Sequence, residues 1–163
     1  MAENSVYFDY NATAPIRPSV IEAVASVMAD VGNPSSVHAA GRLASNVVEK
    51  SRDQVAALVG SQSSSVIFTS GGTEADNLAI KAMPDRRLIV SAIEHGAVLA
   101  PALLFRGDTE VITVDEQGII CLSDLKASLE RNNEPALISV MLANNETGAV
   151  QPLEDIVNLA REY

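Results

Sequence analysis

The 163 residues are 47% apolar and 20% charged, which is enough to bury a hydrophobic core and too apolar for a disordered chain. Twenty-one acidic against eleven basic residues leave a net charge of -10; this repels phosphate backbones and argues against nucleic-acid partners, while a small anionic cofactor held by local backbone dipoles stays compatible. The lone cysteine, Cys121, excludes an intrachain disulfide and a thiolate metal cluster, and Met1–Ser5 is no secretory leader; with no apolar run of about 20 residues, the chain reads as soluble, off the membrane, and at home in the reducing cytoplasm.

In chain order, Val6-Tyr7-Phe8 is a short strand-like run leading into the loop Asp9-Tyr10-Asn11-Ala12-Thr13-Ala14-Pro15. From Ser19 the apolar positions Val20, Val24, Val27, Met28 and Val31 recur at helical spacing until Gly32. After the loop Gly32-Asn33-Pro34-Ser35-Ser36-Val37-His38, a second helix is expected over 39–59, with Gly60 at its C-terminal cap. Val66-Ile67-Phe68-Thr69 reads as a strand, Thr73 to Met83 as a helix, Leu88-Ile89-Val90 as a strand and Gly96 to Phe105 as a helix. A strand over 110–114, a helix capped by Ser123, a strand over 137–141 and a helix from Pro152 to the chain end complete the alternation. The strands are unbroken apolar runs, as expected of a parallel sheet covered on both faces, so the fold class is α/β with a mainly parallel sheet flanked by helices. The last helix stops at Glu162-Tyr163 without a stop signal, which reads as a truncated chain or a frayed terminal helix.

Three stretches can carry chemistry. Thr69-Ser70-Gly71-Gly72-Thr73-Glu74 joins a strand to a helix, where free amides and the dipole favour an anion; alternatively it is a tight turn with Thr73 as a plain N-cap. His95 follows a strand, where open α/β sheets bind ligands and an imidazole can lie over a ring or move protons; alternatively it starts a surface helix. Asn144-Asn145-Glu146-Thr147-Gly148 offers an amide to the same ligand, or is only a turn. The loop around His38 reads as surface and Cys121 as a structural thiol; Lys50, Lys81 and Lys126 lie within helical patterns, away from strand ends. The convergence of three stretches on one sheet edge favours a phosphate-bearing aromatic ligand.

Together the segments resemble the cysteine desulfurases of the class V aminotransferase group of pyridoxal 5'-phosphate (PLP) enzymes. The matching blocks are Tyr7 to Pro15, Gly32 to His38, Phe68 to Ala79, Glu94-His95 and Ala143 to Gly148, in family order over essentially the whole chain. The resemblance implies the large domain of PLP fold type I, with an N-terminal segment near the active site at 1–18 and the rest of the chain, 19–163, in the cofactor-binding domain. It implies that Gly72 and Thr73 hold the cofactor phosphate, that His95 stacks on the pyridine and assists proton transfer, and that Asn145 bonds the ring's phenolic oxygen. It further implies an enzyme that takes sulfur from L-cysteine as a persulfide, releases alanine and supplies acceptor proteins for iron–sulfur clusters or thiolated cofactors, working as a homodimer. A selenocysteine lyase, another aminotransferase, or a non-catalytic dimerisation or regulatory module are the competing readings.

What departs from the family is absence. The Asp on the pyridine nitrogen, its neighbouring Gln, the Ser-x-His-Lys carrying the anchoring lysine and the nucleophilic cysteine fall beyond the matched blocks in the family. The expectation is therefore the N-terminal part of such an enzyme, completed by a complementary C-terminal chain or self-associated. This polypeptide alone is expected to form no alanine or sulfide from L-cysteine in the presence of PLP; a turnover assay that detects either product overturns that.

Overall fold

In the computed structural model, which describes residues 6–163 apart from 106 and 133, the chain divides into two compact units, Met1–Phe68 and Thr69–Tyr163. The leader reading at Met1–Ser5 falls outside the described residues. In the first unit, helix α1 (Pro18–Met28) starts with proline at its first position, where a missing amide costs nothing, and ends short of Gly32, the expected stop. Nothing on α1 is buried; Val20, Val24 and Val27 each stay about half exposed. Helix α2 (Ala39–Leu58) opens at His38, whose Nδ1 accepts the Gly41 amide at 3.3 Å. It closes as a Schellman turn: Gly60 at φ 66° donates to Ala57, and Ser61 donates to the Ala56 carbonyl at 2.8 Å. Gly41 is demanded by close approach, since a β-carbon there would lie 2.1 Å from the Ser36 carbonyl oxygen.

Neither Val6-Tyr7-Phe8 nor Val66-Ile67-Phe68-Thr69 forms a strand. β-propensity needs a partner edge, and neither run has one among the described residues. Instead Arg52 of α2 donates to the Val66 carbonyl and lays its guanidinium 5.0 Å over the Phe68 ring, so cation–π contact and one hydrogen bond replace a ladder.

The second unit runs α3 (Gly72–Lys81), β1 (Arg87–Ser91), α4 (Gly96–Phe105), β2 (Glu110–Ile112), α5 (Leu122–Arg131), β3 (Ala136–Ser139) and α6 (Leu153–Ala160). Helix α5 has Cys121, not Ser123, as its N-cap, and its first residue, Leu122, packs on the core. The last helix ends at Ala160, before the chain does. Among the described residues the sheet has order β2-β1-β3, all parallel, with Arg87 to Val90 of β1 registered on Ala136 to Ser139 of β3. Period-2 alternation splits β1 between two cores. Ile89 packs with Ile112, Leu125, Leu129 and Ile156 beneath α5 and α6, while Leu88 and Val90 pack with Ile80, Val98 and Ala102 beneath α3 and α4. Both faces of β1 are thus covered, as the continuous apolar run foretold.

At the amino end of the sheet, Arg87 is 7% exposed and fully engaged. Its Nη1 pairs with Glu110 at 2.7 Å, Nη2 donates to the Ser128 and Asn132 carbonyls, and Nε donates to the Glu134 carbonyl. Glu110 also accepts from Ser128 Oγ at 2.8 Å and pairs with Arg131 at 3.1 Å. Removing one member leaves buried charge and carbonyls unpaired, so Arg87→Ala is expected to cost about 3 kcal/mol in urea unfolding. Lys126→Ala, which breaks only the exposed 3.8 Å pair with Glu130, is expected to cost under about 0.5 kcal/mol; equal losses in the two variants contradict this account.

Candidate functional site

The connections set a topological switch point. The helix after β1, α4, packs on one face of the sheet, and the helix after β3, α6, packs on the other. Neighbouring strands whose connections leave to opposite faces open a gap between their carboxyl ends, and that gap is where open α/β sheets take ligands. The loops flanking it are 92–95 after β1 and 140–152 after β3. Of the three strands expected to carry site loops, two are in this sheet; Val66 to Thr69, which precedes Gly71 and Gly72, is not.

The start of α3 has the form of an anion site. Its N-cap is Gly71, not Thr73, and no side chain caps it; Gly72 and Thr73 are its first two helical residues. Their amides have no intrahelical acceptor. Gly71 has an extended backbone open to any residue, and a β-carbon at Gly71 or Gly72 would meet nothing within 4 Å. The fold itself does not require these glycines, so they leave room above the helix end. A free Glu74 carboxylate in the first turn would spoil such a site. Its carboxylate turns back onto Ser70, taking the hydroxyl and the amide at 2.6 Å each, which holds it below the usual carboxylate range.

His95 is exposed at the start of α4, its carbonyl receiving the Val98 amide and its Nδ1 the Ala97 amide at 3.1 Å. Accepting at Nδ1 leaves the neutral ring's proton on Nε2. The helix-start reading and the ligand reading of this histidine are therefore compatible, since capping occupies one nitrogen only.

In the loop after β3, Asn144 builds the turn: its Oδ1 accepts the Glu146 and Thr147 amides at 2.9 and 2.8 Å, an Asx turn that leaves Asn145 exposed. Its Nδ2 donates to the Ile93 carbonyl at 3.0 Å, and Glu94 accepts the Met141 amide at 2.6 Å. Asn77 of α3 donates both to the Thr73 carbonyl at 2.8 Å and to the Ala97 carbonyl at 3.3 Å. These bonds tie Thr73, His95 and Asn145 into one neighbourhood through their close chain neighbours. Asn77, Glu94 and Asn144 lie within the blocks that carry the resemblance, Phe68 to Ala79, Glu94-His95 and Ala143 to Gly148, but the sequence carries no signal of the bonds each makes. Lys81 ends α3 and Lys126 lies on α5, so neither reaches a strand's carboxyl end. Among the described residues no cluster of His, Cys, Asp or Glu could hold a metal ion, and no helix is long and apolar enough to cross a membrane.

A family model described as Aminotransferase class-V matches residues 6–163. The cysteine desulfurase IscS of Dictyoglomus turgidum is 37% identical across 99% of this chain and 43% of its own length. Among solved structures, a NifS-like protein from Rickettsia africae has a TM-score of 0.91 at 37% identity, covering 98% of this chain and 46% of that one. SspA in complex with cysteine has a TM-score of 0.85 at 32% identity, covering 97% and 48%. The chain thus spans less than half the length of these relatives.

Glu94 gives the site a pH signature. Burial raises its carboxyl above the usual range, the Met141 amide opposes that, and Asp76 of α3 adds repulsion. A carboxyl raised in the folded state contributes stability that is complete below the unfolded pKa and lost as pH climbs through the folded one. Glu94→Gln keeps an acceptor for Met141 without the charge. The unfolding free energy of this variant relative to wild type is expected to rise as pH is raised from about 4 to 8; a flat difference across that range contradicts the shift.

Proposed function

Because this chain belongs to the class V aminotransferase family, we propose that it carries the phosphate- and ring-binding part of a PLP-dependent cysteine desulfurase. The observation that supports this most directly is the uncapped, glycine-flanked start of α3, bonded through Asn77 to the helix that His95 begins. In this reading the amides of Gly72 and Thr73, with the Thr73 hydroxyl, receive the phosphate at the positive end of the helix dipole. The His95 ring lies against the pyridine and moves a proton at Nε2, the nitrogen its capping bond leaves free. The Asn145 amide donates to the ring oxygen. PLP, when bound, supplies the electron sink that lets bonds next to an amino group break.

L-Cysteine is the proposed substrate, supported by the likeness to a protein solved in complex with cysteine. Its sulfur would leave as an enzyme persulfide, with alanine released, and pass to acceptor proteins for iron–sulfur cluster or thiocofactor synthesis. We place this activity in the cytoplasm, in a homodimer. The division into an N-terminal segment at 1–18 and a cofactor-binding portion at 19–163 belongs to the same proposal. The covalent anchor, the ring-nitrogen partner and the sulfur nucleophile are outside the residues assigned here.

The phosphate assignment is tested by Gly72→Ala. In the chain's own terms the change is harmless, since the added methyl meets open space and alanine favours a helix by up to about 1 kcal/mol. Thermal stability is expected to hold or rise while PLP affinity, followed by absorbance titration, falls about tenfold or more. Unchanged PLP affinity in the folded variant removes the phosphate from this helix end.

A further inference from the structure

We propose that Glu94 is a positioning residue: it clasps the loop after β3 to the loop after β1 so that Asn145 is presented beside His95. This deepens the cofactor reading above and rests on it.

The need for such a clasp follows from where the ladder stops. Backbone pairing between β1 and β3 runs from Arg87↔Ala136 to Val90↔Ser139 and goes no further. Beyond it the two chains must diverge, one into α4 and the other into the Asn144 turn, so nothing in the sheet sets their spacing. Side chains take over at that point. The Glu94 carboxylate accepts the Met141 amide at 2.6 Å, two residues past the last ladder pair. One residue before Glu94, the Ile93 carbonyl accepts Nδ2 of Asn144 at 3.0 Å. Both acceptors lie on the β1 side and both donors on the β3 side, and the span between Met141 and Asn144 is pinned at both ends. Asn145 leaves that span at its fixed end, and His95 leaves Glu94 directly.

The residue type is also telling. A glutamate 8% exposed, with the Asp76 carboxylate of α3 acting on it, is a costly occupant of this place. An apolar residue would fill the space without that cost but would leave the partly buried Met141 amide, just past the half-buried β3, without its acceptor. An aspartate is one methylene shorter and loses the reach. A short bond to an acceptor oxygen of the right reach is what holds a loop end where no ladder does. The α3 end is joined to the site by Asn77 and not by Glu94. The clasp therefore governs the ring-binding side chains and leaves the phosphate end alone.

The test uses the full chain with Glu94→Ala, Glu94→Asp and Glu94→Gln, and it has two readouts. By ¹⁵N–¹H NMR without cofactor, the Met141 amide and the Asn145 side-chain amide are expected to shift together in the alanine and aspartate variants and to return close to wild type in the glutamine variant, which still offers an oxygen. By titration, PLP affinity is expected to fall about tenfold in the alanine and aspartate variants and to stay within about twofold in the glutamine variant, with affinity for inorganic phosphate, followed by ³¹P NMR, unchanged in all three. Asn145 resonances that do not move in folded Glu94→Ala or Glu94→Asp overturn the clasp. So does a parallel loss of PLP and inorganic phosphate, which marks general structural damage. Should Glu94→Ala not fold, the aspartate variant carries the same comparison. Failure of wild type to take up PLP sinks the cofactor reading, and the Asn145 resonances still decide the clasp.

Discussion

Parallel pairing of β1 with β3 is the constraint from which the rest of the site follows. Parallel strands end on the same side, so two loops separated by some 50 residues of sequence come out of the sheet together. The register that matches Arg87 to Ala136 also matches Val90 to Ser139, and it is held at its amino end by the buried Arg87 knot. With α4 and α6 packed on opposite faces, the carboxyl ends of β1 and β3 form a topological switch point, where open α/β sheets take ligands. The three side chains of the proposed site need no special strand geometry beyond this; they need loops that stay close after the ladder ends.

The proposal that an acidic chain takes a phosphate is less paradoxical at atomic scale. Exposed charges farther apart than about 8 Å are largely screened at physiological salt, so the net charge of -10 acts mainly at a distance. Locally, the first amides of α3 present their dipoles without a competing cap, and the nearest carboxylate, Glu74, is spent on Ser70. Of the other acidic groups, Asp76 of α3 acts on Glu94, and Glu94 has a backbone amide to hold. Charge sign at this site is thus arranged residue by residue, and composition says little about it.

The helices and the strands with partners in hand were legible in the sequence; relations between segments were not. α2 and α4 begin where apolar spacing and small residues place them, and β1 announces itself as an apolar run because both its faces are covered. Val66 to Thr69 reads as strongly as β1 does, yet a strand is a bond between two segments, and here Arg52 takes the carbonyl a ladder would have used. Ser123 looked a better cap than Cys121 on propensity, yet Cys121 holds that position and Leu122 packs on the core. Thr73, His95 and Asn145 stand in loop motifs, and it is the family resemblance that implies their proposed roles. Glu94, Asn144 and Asn77 stand in the same blocks, yet their bonds were not legible, because what each does depends on an atom far away in the chain: Met141, Ile93 and Ala97. For Asn144 the turn reading is correct, and it is that turn which leaves its neighbour exposed.

The divided bond of Asn77 has a mechanical consequence. One amide nitrogen touches a carbonyl on its own helix and another on the first turn of α4, so it acts as a pawl between two rods. Neither rod can slide along its axis without lifting the pawl, and rotation of one drags the other. Strain applied to the first turn of either helix is therefore shared with the other.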